Sequence, residues 1–233
     1  MDTAAFIPVK KRSTRIPNKN FREFNGRPLY EHFFTKIHPT NPFDDIYVNT
    51  DSDEVKECAE EYGFKIIDRP PRLSEDDANG NDLLLYDAEQ IEVDLYFQLF
   101  VTAPLLRQKT IREAHSRMIS DDSIDSIFTV EEHNSFFWKG DSPINYEPTE
   151  LPRTQDLAPL IEETTGLYAI ERESLLEREC RIGYDPGFVE VGSIEGIDVD
   201  VMSDLELARL VNQNQNRGTG LNEDGYDLLG GGV

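Results

Sequence analysis

The residues with the most evident capacity for chemistry form a basic cluster near the start of the chain, residues 10–27, with the sequence KKRSTRIPNKNFREFNGR. This cluster holds seven of the 23 lysines and arginines and one acid, Glu23, in a chain of net charge −23. Like charges repel, so the clustering favours a compensating polyanion. Hydroxyls of Ser13 and Thr14 and loop amides can also cradle phosphates. We predict a small polyanionic ligand here, with a solvated basic loop as the alternative; the spacing is not that of a Walker loop.

A second candidate is the acid pair Asp198 and Asp200 in the segment GIDVDV. Side chains two residues apart in an extended segment point the same way. Two such carboxylates can bind one Mg²⁺ ion that also contacts nucleotide phosphates. In a chain with 46 acids, a solvated strand end is the alternative. Asp204 follows, and we interpret it as an acid at the start of a helix, where its negative charge interacts favourably with the helix dipole.

Histidines and cysteines give no comparable pattern. No spacing of Ser, His and Asp or of Cys and His indicates nucleophilic catalysis, so His32 and His133 are interpreted as structural. Cys58 and Cys180 are the two cysteines of the chain, and we interpret them as unpaired thiols in a reducing compartment.

Short apolar runs alternate with helical patterns, which predicts an α/β fold with a mostly parallel sheet covered on both faces. Such sheets bind ligands beyond the carboxyl ends of their strands, so the loops that follow strands are the expected sites. The predicted strands cover residues 4–9, 45–50, 65–68, 94–102, 126–130, 166–170 and 187–191. The predicted helices cover residues 29–37, 53–62, 82–89, 109–120 and 203–212.

The pattern predicts one domain over residues 1–212. Within it, residues 133–165 break the alternation and contain several aromatic residues and four prolines. This composition is typical of an insertion whose exposed aromatic side chains form an interface. Residues 213–233 are rich in Asn and Gly and are predicted to be a flexible tail.

The composition excludes several classes of function. Acids outnumber bases 46 to 23, which argues against a nucleic-acid partner and fits adaptation to high salt, with an ordinary acidic cytosolic protein as the alternative. No apolar run approaches the ~20 residues of a membrane span. The first ten residues lack the apolar core of a secretory signal. We expect a cytoplasmic protein with no nucleic-acid or membrane partner.

The segment IPVKKRSTRIPNKN at residues 7–20, with GRPL at residues 26–29, resembles the opening motif of the acylneuraminate cytidylyltransferases, or CMP-sialic acid synthetases, and of the related Kdo cytidylyltransferases. In that family the loop wraps the triphosphate of CTP. The resemblance implies that the nucleotide is bound by Lys10, Ser13, Arg15, Lys19 and Asn20. Lys11 and Arg12 replace two small residues, often glycines, of the family motif.

The likeness continues along the chain. RP at residues 69–70, with Leu73 and Asp76, resembles the family's RPxxLxxD segment near the nucleotide, which implies that Arg69 binds the nucleotide. LFVTAPL at residues 99–105 resembles LQPTSPL and assigns Phe100 and Thr102 to the sugar site. Sialic-acid members carry Gln where this chain has Phe100, so the acceptor is expected to differ from N-acetylneuraminic acid. A plain core role for Phe100 is the alternative.

Two further segments complete the resemblance. PRTQ at residues 152–155 resembles the family's PRxQ, which implies that Arg153 and Gln155 bind the substrate. In the family this arginine binds the carboxylate of the sugar acid. IDVDV at residues 197–201 resembles IDIDT, whose aspartates bind the catalytic Mg²⁺, so Asp198 and Asp200 become the metal ligands. In relatives the insertion also dimerises.

Together these likenesses imply a Rossmann-like sheet of the nucleotide-diphospho-sugar transferase fold, with a dimerisation insertion, in a homodimer. The implied reaction transfers CMP from CTP to the anomeric hydroxyl of a nonulosonic, sialic-acid-like sugar acid and releases pyrophosphate. Lys19, Arg15 and Asp200 are the implied catalytic residues, acting by position and charge, and Mg²⁺ is the cofactor. Two alternatives stay open: a metal-dependent glycosyltransferase and a non-catalytic nucleotide-sugar-binding protein.

Overall fold

A computed structural model of the protein describes residues 1–216. The strands in this range are β1 (Thr3–Val9), β2 (Glu23–Phe24), β3 (Arg27–Pro28), β4 (Asp45–Thr50), β5 (Lys65–Asp68), β6 (Leu95–Leu99), β7 (Ser126–His133), β8 (Trp138–Lys139), β9 (Ser142–Pro143), β10 (Leu160–Glu171) and β11 (Pro186–Glu190). The helices are α1 (Leu29–Ile37), α2 (Asp53–Glu61), α3 (Gly80–Gln90), α4 (Gln108–Ser120), α5 (Arg172–Arg178) and α6 (Met202–Asn216). None of these helices is long and apolar enough to cross a membrane.

Seven of the strands form one sheet in the order β11-β7-β10-β6-β1-β4-β5. β10 is antiparallel to both of its neighbours, and every other neighbouring pair is parallel. The α/β fold with a mostly parallel sheet, predicted from the alternation of patterns, is confirmed.

Both faces of the sheet are covered, because the central strands are apolar on both sides. All seven residues of β1 are buried. Ala5 and Ile7 pack in a core cluster with α1, α2 and α4, and Ala4 and Phe6 pack in a second cluster with α3 and α5. This burial places the polar ends of the strands, rather than their faces, within reach of a ligand.

Several element bounds differ from the predicted ones. β6 ends at Leu99 instead of 102, because the chain turns there and the Ala103 N–H donates to the Phe100 carbonyl at 3.1 Å. β10 begins at Leu160, inside the predicted insertion. α6 runs to Asn216, so residues 213–216 of the predicted tail are helical, and residues 217–233 lie outside the described range.

The remainder of the predicted insertion connects two antiparallel strands, β7 and β10. Its aromatic side chains pack on one another: the rings of Phe136 and Tyr146 are 4.4 Å apart, and Trp138 donates through Nε1 to the Tyr146 hydroxyl at 3.0 Å. Trp138 is still 54% exposed. Dimerisation through this segment stays a prediction.

The buried His32 on α1 makes the stability of the protein depend on pH. Its ring is buried 4.6 Å from that of Phe24, and burial, together with the nearby Lys36 and Arg27, lowers its pKa from 6.5 to about 4. Between these pH values the unfolded chain binds a proton that the folded chain does not. The stability that His32 contributes is therefore complete above pH 6.5 and is lost as the pH falls to 4, by roughly 3 kcal/mol.

We expect His32→Gln to reduce the loss of unfolding free energy between pH 7 and pH 4.5, measured by urea denaturation. His38→Gln changes an exposed histidine just after the same helix and serves as the control. Equal pH slopes for the His32→Gln variant and the unmodified protein would show that His32 does not contribute this dependence.

Candidate active site

A cleft of about 360 Å³ opens where β1, β5 and β6 end, a size typical of a small-molecule site. Of the twelve residues predicted for the site, ten line this cleft in the described chain: Lys10, Ser13, Arg15, Lys19, Asn20, Arg69, Phe100, Thr102, Asp198 and Asp200. They come from four separate parts of the sequence. The sheet topology therefore brings the basic cluster and the acid pair to one place.

The basic loop after β1 is held at its base by the neighbouring chain. The Asn20 side-chain amide donates to the Lys10 carbonyl at 2.9 Å, and the Lys11 N–H donates to Asp51 Oδ1 at 2.7 Å. Lys10 Nζ pairs with Asp76 at 3.2 Å. These contacts position the loop beside the strand ends, where its residues Lys10, Arg15 and Lys19 line the cleft.

The acid pair meets the loop directly. Asp200 accepts hydrogen bonds from Arg15 and, at 3.3 Å, from Lys19 Nζ, which also donates to the Val199 carbonyl at 2.6 Å. Asp204 accepts from the N–H groups of Asp200 and Val201 at 2.9 and 2.8 Å, so it holds this segment at the start of α6, where it was predicted. The ion pair between Arg15 and Asp200 therefore joins segments that are 185 residues apart in the sequence.

Three residues that line the cleft each carry a buried polar side-chain atom with no hydrogen-bond partner within residues 1–216: Asn20 Oδ1, Thr165 Oγ1 and Asp198 Oδ1. Buried polar atoms in folded proteins are almost always paired, and an exception requires an explanation. Unpaired atoms on the residues of a cleft are typical of a site whose ligand completes the hydrogen bonding.

The acid pair fits a magnesium ion that arrives with phosphates. Asp198 Oδ1 is one of the unpartnered atoms, and Asp200 lies two residues further on. No group of three or more His, Cys, Asp or Glu side chains in the described part of the chain could enclose a metal alone. Mg²⁺ commonly takes one or two carboxylates and completes its shell with phosphate oxygens and water.

Arg69 belongs to a buried polar network beneath the cleft. It donates through Nε and Nη2 to the side chain and the carbonyl of Asn49, at 2.7 and 2.8 Å, and Asn49 donates to Asp87. Burial lowers the pKa of Arg69 and raises the pKa of Asp87. The network fixes the Arg69 guanidinium at the wall of the cleft, next to the expected nucleotide.

Arg153 and Gln155 are the two predicted residues that this structure does not bring to the cleft. Both are exposed on the insertion, where Arg153 donates through Nε and Nη2 to Asp156 at 2.7 and 2.9 Å. His32 and His133 also lie outside the cleft lining, and His133 is hydrogen-bonded to Glu162 at 2.7 Å, in agreement with structural roles.

Sequence reasoning missed one cation of the cleft, Arg181. It follows α5, a helix that was not predicted, and no motif surrounds it. Gly80, at the start of α3, also lines the cleft, although no sequence motif predicted it.

Comparison with known proteins shows which family the chain is similar to. A family model described as cytidylyltransferase matches residues 4–196. N-acylneuraminate cytidylyltransferase A of Danio rerio is 29% identical over 214 residues, covering 88% of this chain and 49% of that protein. Pseudaminic acid cytidylyltransferase of Campylobacter jejuni is 25% identical over 229 residues, covering 91% of this chain and 96% of that protein. The chain spans about half the length of the first curated relatives it matches.

Among solved structures, a CMP:2-keto-3-deoxy-manno-octonic acid synthetase complexed with CTP superimposes with a TM-score of 0.68 at 20% identity, covering 92% of this chain and 100% of that one. A 4-diphosphocytidyl-2C-methyl-D-erythritol synthase from Anaerococcus prevotii gives 0.64 at 12% identity, covering 91% and 96%. At these identities the likeness concerns the fold, and the predicted nucleotide-diphospho-sugar transferase fold is confirmed.

Proposed function

The chain belongs to the cytidylyltransferase family, and from that premise we propose that it transfers CMP from CTP to a nonulosonic sugar acid and releases pyrophosphate. The observation that carries the proposal is the meeting of Arg15 and Lys19 with Asp200 in one cleft. A triphosphate needs cations, and its metal needs carboxylates. The cleft provides both, with Arg15 and Lys19 hydrogen-bonded to Asp200.

In the proposed reaction, Lys10, Ser13, Arg15 and Lys19 bind the triphosphate. The anomeric hydroxyl of the acceptor releases its proton to solvent as its oxygen bonds to the α-phosphorus, and the bond from that phosphorus to pyrophosphate breaks, so that pyrophosphate leaves. Asp198 and Asp200 would hold Mg²⁺, which offsets phosphate charge and favours loss of the hydroxyl proton. Lys19 and Arg15 neutralise the charge that develops on the leaving group. Catalysis then depends on position and electrostatics.

The acceptor side of the cleft is expected to select the sugar. Phe100 and Thr102 line it, and Phe100 packs against Tyr168 with ring centroids 6.2 Å apart. An aromatic wall offers none of the hydrogen bonds of the glutamine that sialic-acid members carry. We therefore propose a nonulosonic acid other than N-acetylneuraminic acid as the acceptor.

The function is tested by pyrophosphate release in Mg²⁺ buffer, crossing CTP, UTP, ATP and GTP with N-acetylneuraminic acid, pseudaminic acid, Kdo and other nonulosonic acids. We expect release with CTP and one of the acids. A folded protein that neither binds CTP nor releases pyrophosphate with any pair would overturn the proposal. Consumption of a finished nucleotide-sugar without pyrophosphate release would favour a glycosyltransferase instead.

The charge of the chain leads to a separate prediction about salt. At a net charge of −23, self-repulsion opposes the folded state, and salt screens it. We expect the free energy of unfolding to rise between 0.1 and 2 M KCl; chloride is used because sulfate would also strengthen apolar burial. Unchanged or lower stability in KCl would contradict adaptation to high salt.

A homodimer and a cytoplasmic location stay predictions. Light scattering of the purified chain tests the first, and a monomer would contradict it.

A further inference from the structure

The acid pair lies in an irregular loop, residues 191–201, between β11 and α6. Neither a helix nor a strand fixes the backbone of this loop, so tertiary contacts must set the position of the two carboxylates. Two contacts tie the loop to the chain that follows β6. One is the Val199 N–H, which donates to the Thr102 carbonyl at 2.8 Å. The other is made by the side chain of Glu195, four residues earlier.

Glu195 is the one charged residue of this loop whose side chain is buried, with 4% of it exposed. Its Oε1 accepts from the Arg107 N–H at 2.9 Å and from the Thr110 hydroxyl, and its Oε2 accepts from Arg107 Nε. These donors stand at the start of α4, a helix whose own N-cap residue makes no side-chain cap. A carboxylate is favoured there because the first turn of a helix attracts negative charge. Three donors from one helix end therefore offset the burial of the Glu195 charge.

Lys36 on α1 binds the turn between β6 and α4. Its Nζ donates to the carbonyls of Pro104 and, at 2.8 Å, of Leu106. Burial lowers the pKa of Lys36 from 10.5 to about 8, and the charge of Glu195 opposes this fall. The turn is thus held by α1, and Glu195 joins the loop of the acid pair to the helix that follows the turn.

The two ties lie on either side of Asp198 in the sequence. Glu195 precedes it by three residues, and Val199 follows it directly. Asp198 Oδ1 is buried and has no hydrogen-bond partner within residues 1–216, so no contact of its own fixes this atom. The position of the Asp198 carboxylate therefore depends on the backbone between the two ties.

Given the proposed function, we propose that Glu195 is a positioning residue for the metal site: its buried hydrogen bonds to the start of α4 hold Asp198 where the metal and the nucleotide phosphates meet. Glu195 itself does not line the cleft. Removing a group that orients metal ligands commonly lowers metal affinity or activity ten- to a hundredfold. If Glu195 only stabilised α4, its removal would lower the free energy of unfolding and leave nucleotide binding by the folded protein unchanged.

The test measures the CTP affinity of the folded protein by calorimetry, once in Mg²⁺ and once in EDTA, without an acceptor. The ratio of the two affinities, the Mg²⁺ gain, reports how well the protein holds the metal together with the nucleotide. Glu195→Gln keeps the shape of the side chain and removes the charge that pairs with Arg107. Circular dichroism and urea denaturation check that each variant is folded.

Asp125→Asn is the matched control. Asp125 is another half-buried carboxylate with several donors, among them the N–H groups of Tyr184 and Asp185 at 2.7 and 3.0 Å and the Ser174 hydroxyl at 2.8 Å. It directly precedes β7, which is parallel to β6 because β10 is antiparallel to both. Asp125 therefore lies at the edge of the sheet opposite the cleft, and its substitution makes the same change of charge away from the loop of the acid pair.

We expect Mg²⁺ to strengthen CTP binding by the unmodified protein, and Glu195→Gln to reduce this Mg²⁺ gain by about tenfold while the affinity in EDTA stays the same. Asp125→Asn should keep the full Mg²⁺ gain. Thr110→Val removes one donor to Glu195 and keeps the side-chain shape, so it should reduce the gain by about threefold. This variant preserves the test if the glutamine variant does not fold.

Three results would overturn the assignment. The first is a full Mg²⁺ gain in a folded Glu195→Gln protein, or in Thr110→Val if the glutamine variant does not fold. The second is an equal loss of the gain in Asp125→Asn, since any loss of stability would then have the same effect. The third is an unmodified protein that binds CTP equally well in Mg²⁺ and in EDTA. Failure of the unmodified protein to bind CTP in either buffer would instead count against the proposed function, so the two failures are distinguishable.

Discussion

Replacing Asp198 with asparagine is expected to lower the rate of CTP-dependent pyrophosphate release by about a thousandfold while the protein stays folded. Asp198 Oδ1 is buried and has no hydrogen-bond partner within residues 1–216, so the substitution keeps the shape of the side chain and removes the negative charge that would bind the metal. The turnover number at saturating CTP and acceptor is the measurement, with circular dichroism to check the fold.

Asp77→Asn is the control for this variant. Asp77 is exposed, lies in a neighbouring loop and does not line the cleft. Its substitution changes the net charge of the protein by the same amount as Asp198→Asn. We expect it to keep the turnover of the unmodified protein. Full turnover by a folded Asp198→Asn, Asp200→Asn double variant would show that these carboxylates do not hold a catalytic metal.

The second large effect is expected from Lys19→Met, which should lower kcat/KM for CTP by at least about a hundredfold. The Lys19 side chain is 13% exposed, and its Nζ lies between the Val199 carbonyl and Asp200, so its charge acts with little screening by solvent. Steady-state kinetics with varied CTP, together with CTP binding by calorimetry, measure the effect.

Lys11→Met provides the comparison within the same loop. Lys11 is exposed and outside the cleft lining, although it is adjacent to Lys10. If Lys19 acts through contact with phosphates, the Lys11 variant should lose no more than a few-fold in kcat/KM for CTP. This loss should be smaller at high salt, since exposed charges are screened. Equal losses in both variants would mean that the loop attracts the nucleotide by its overall charge alone.

Much of this arrangement follows from local sequence. The apolar runs of β1 and β4 and the amphipathic pattern of α1 predict their bounds closely, since burial on a sheet or one helix face imposes those periods. The basic loop and the acid pair were found by composition and motif. The basic loop directly follows β1, and the acid pair reaches the same cleft because the Val199 N–H donates to the Thr102 carbonyl, just after β6, at 2.8 Å.

Other features depend on contacts that no local pattern encodes. The first residues of β10 are mostly polar and exposed, so strand periodicity is missing there, although pairing with β7 makes them a strand. Arg181 meets Gly80 and Gln98 from more than 80 residues away in sequence. Arg153 was assigned from a motif, but the packing of the insertion, which sets its position, is invisible to periodicity.

The central claim is that CMP, rather than a phosphate group, moves to the sugar acid. Phosphorus NMR of a reaction with CTP, Mg²⁺ and the preferred acid tests it most directly. We predict one new phosphodiester resonance, from a CMP-sugar, and pyrophosphate in equal amount. The appearance of CDP with a phosphorylated sugar, or of CMP and pyrophosphate without a sugar adduct, would contradict the account.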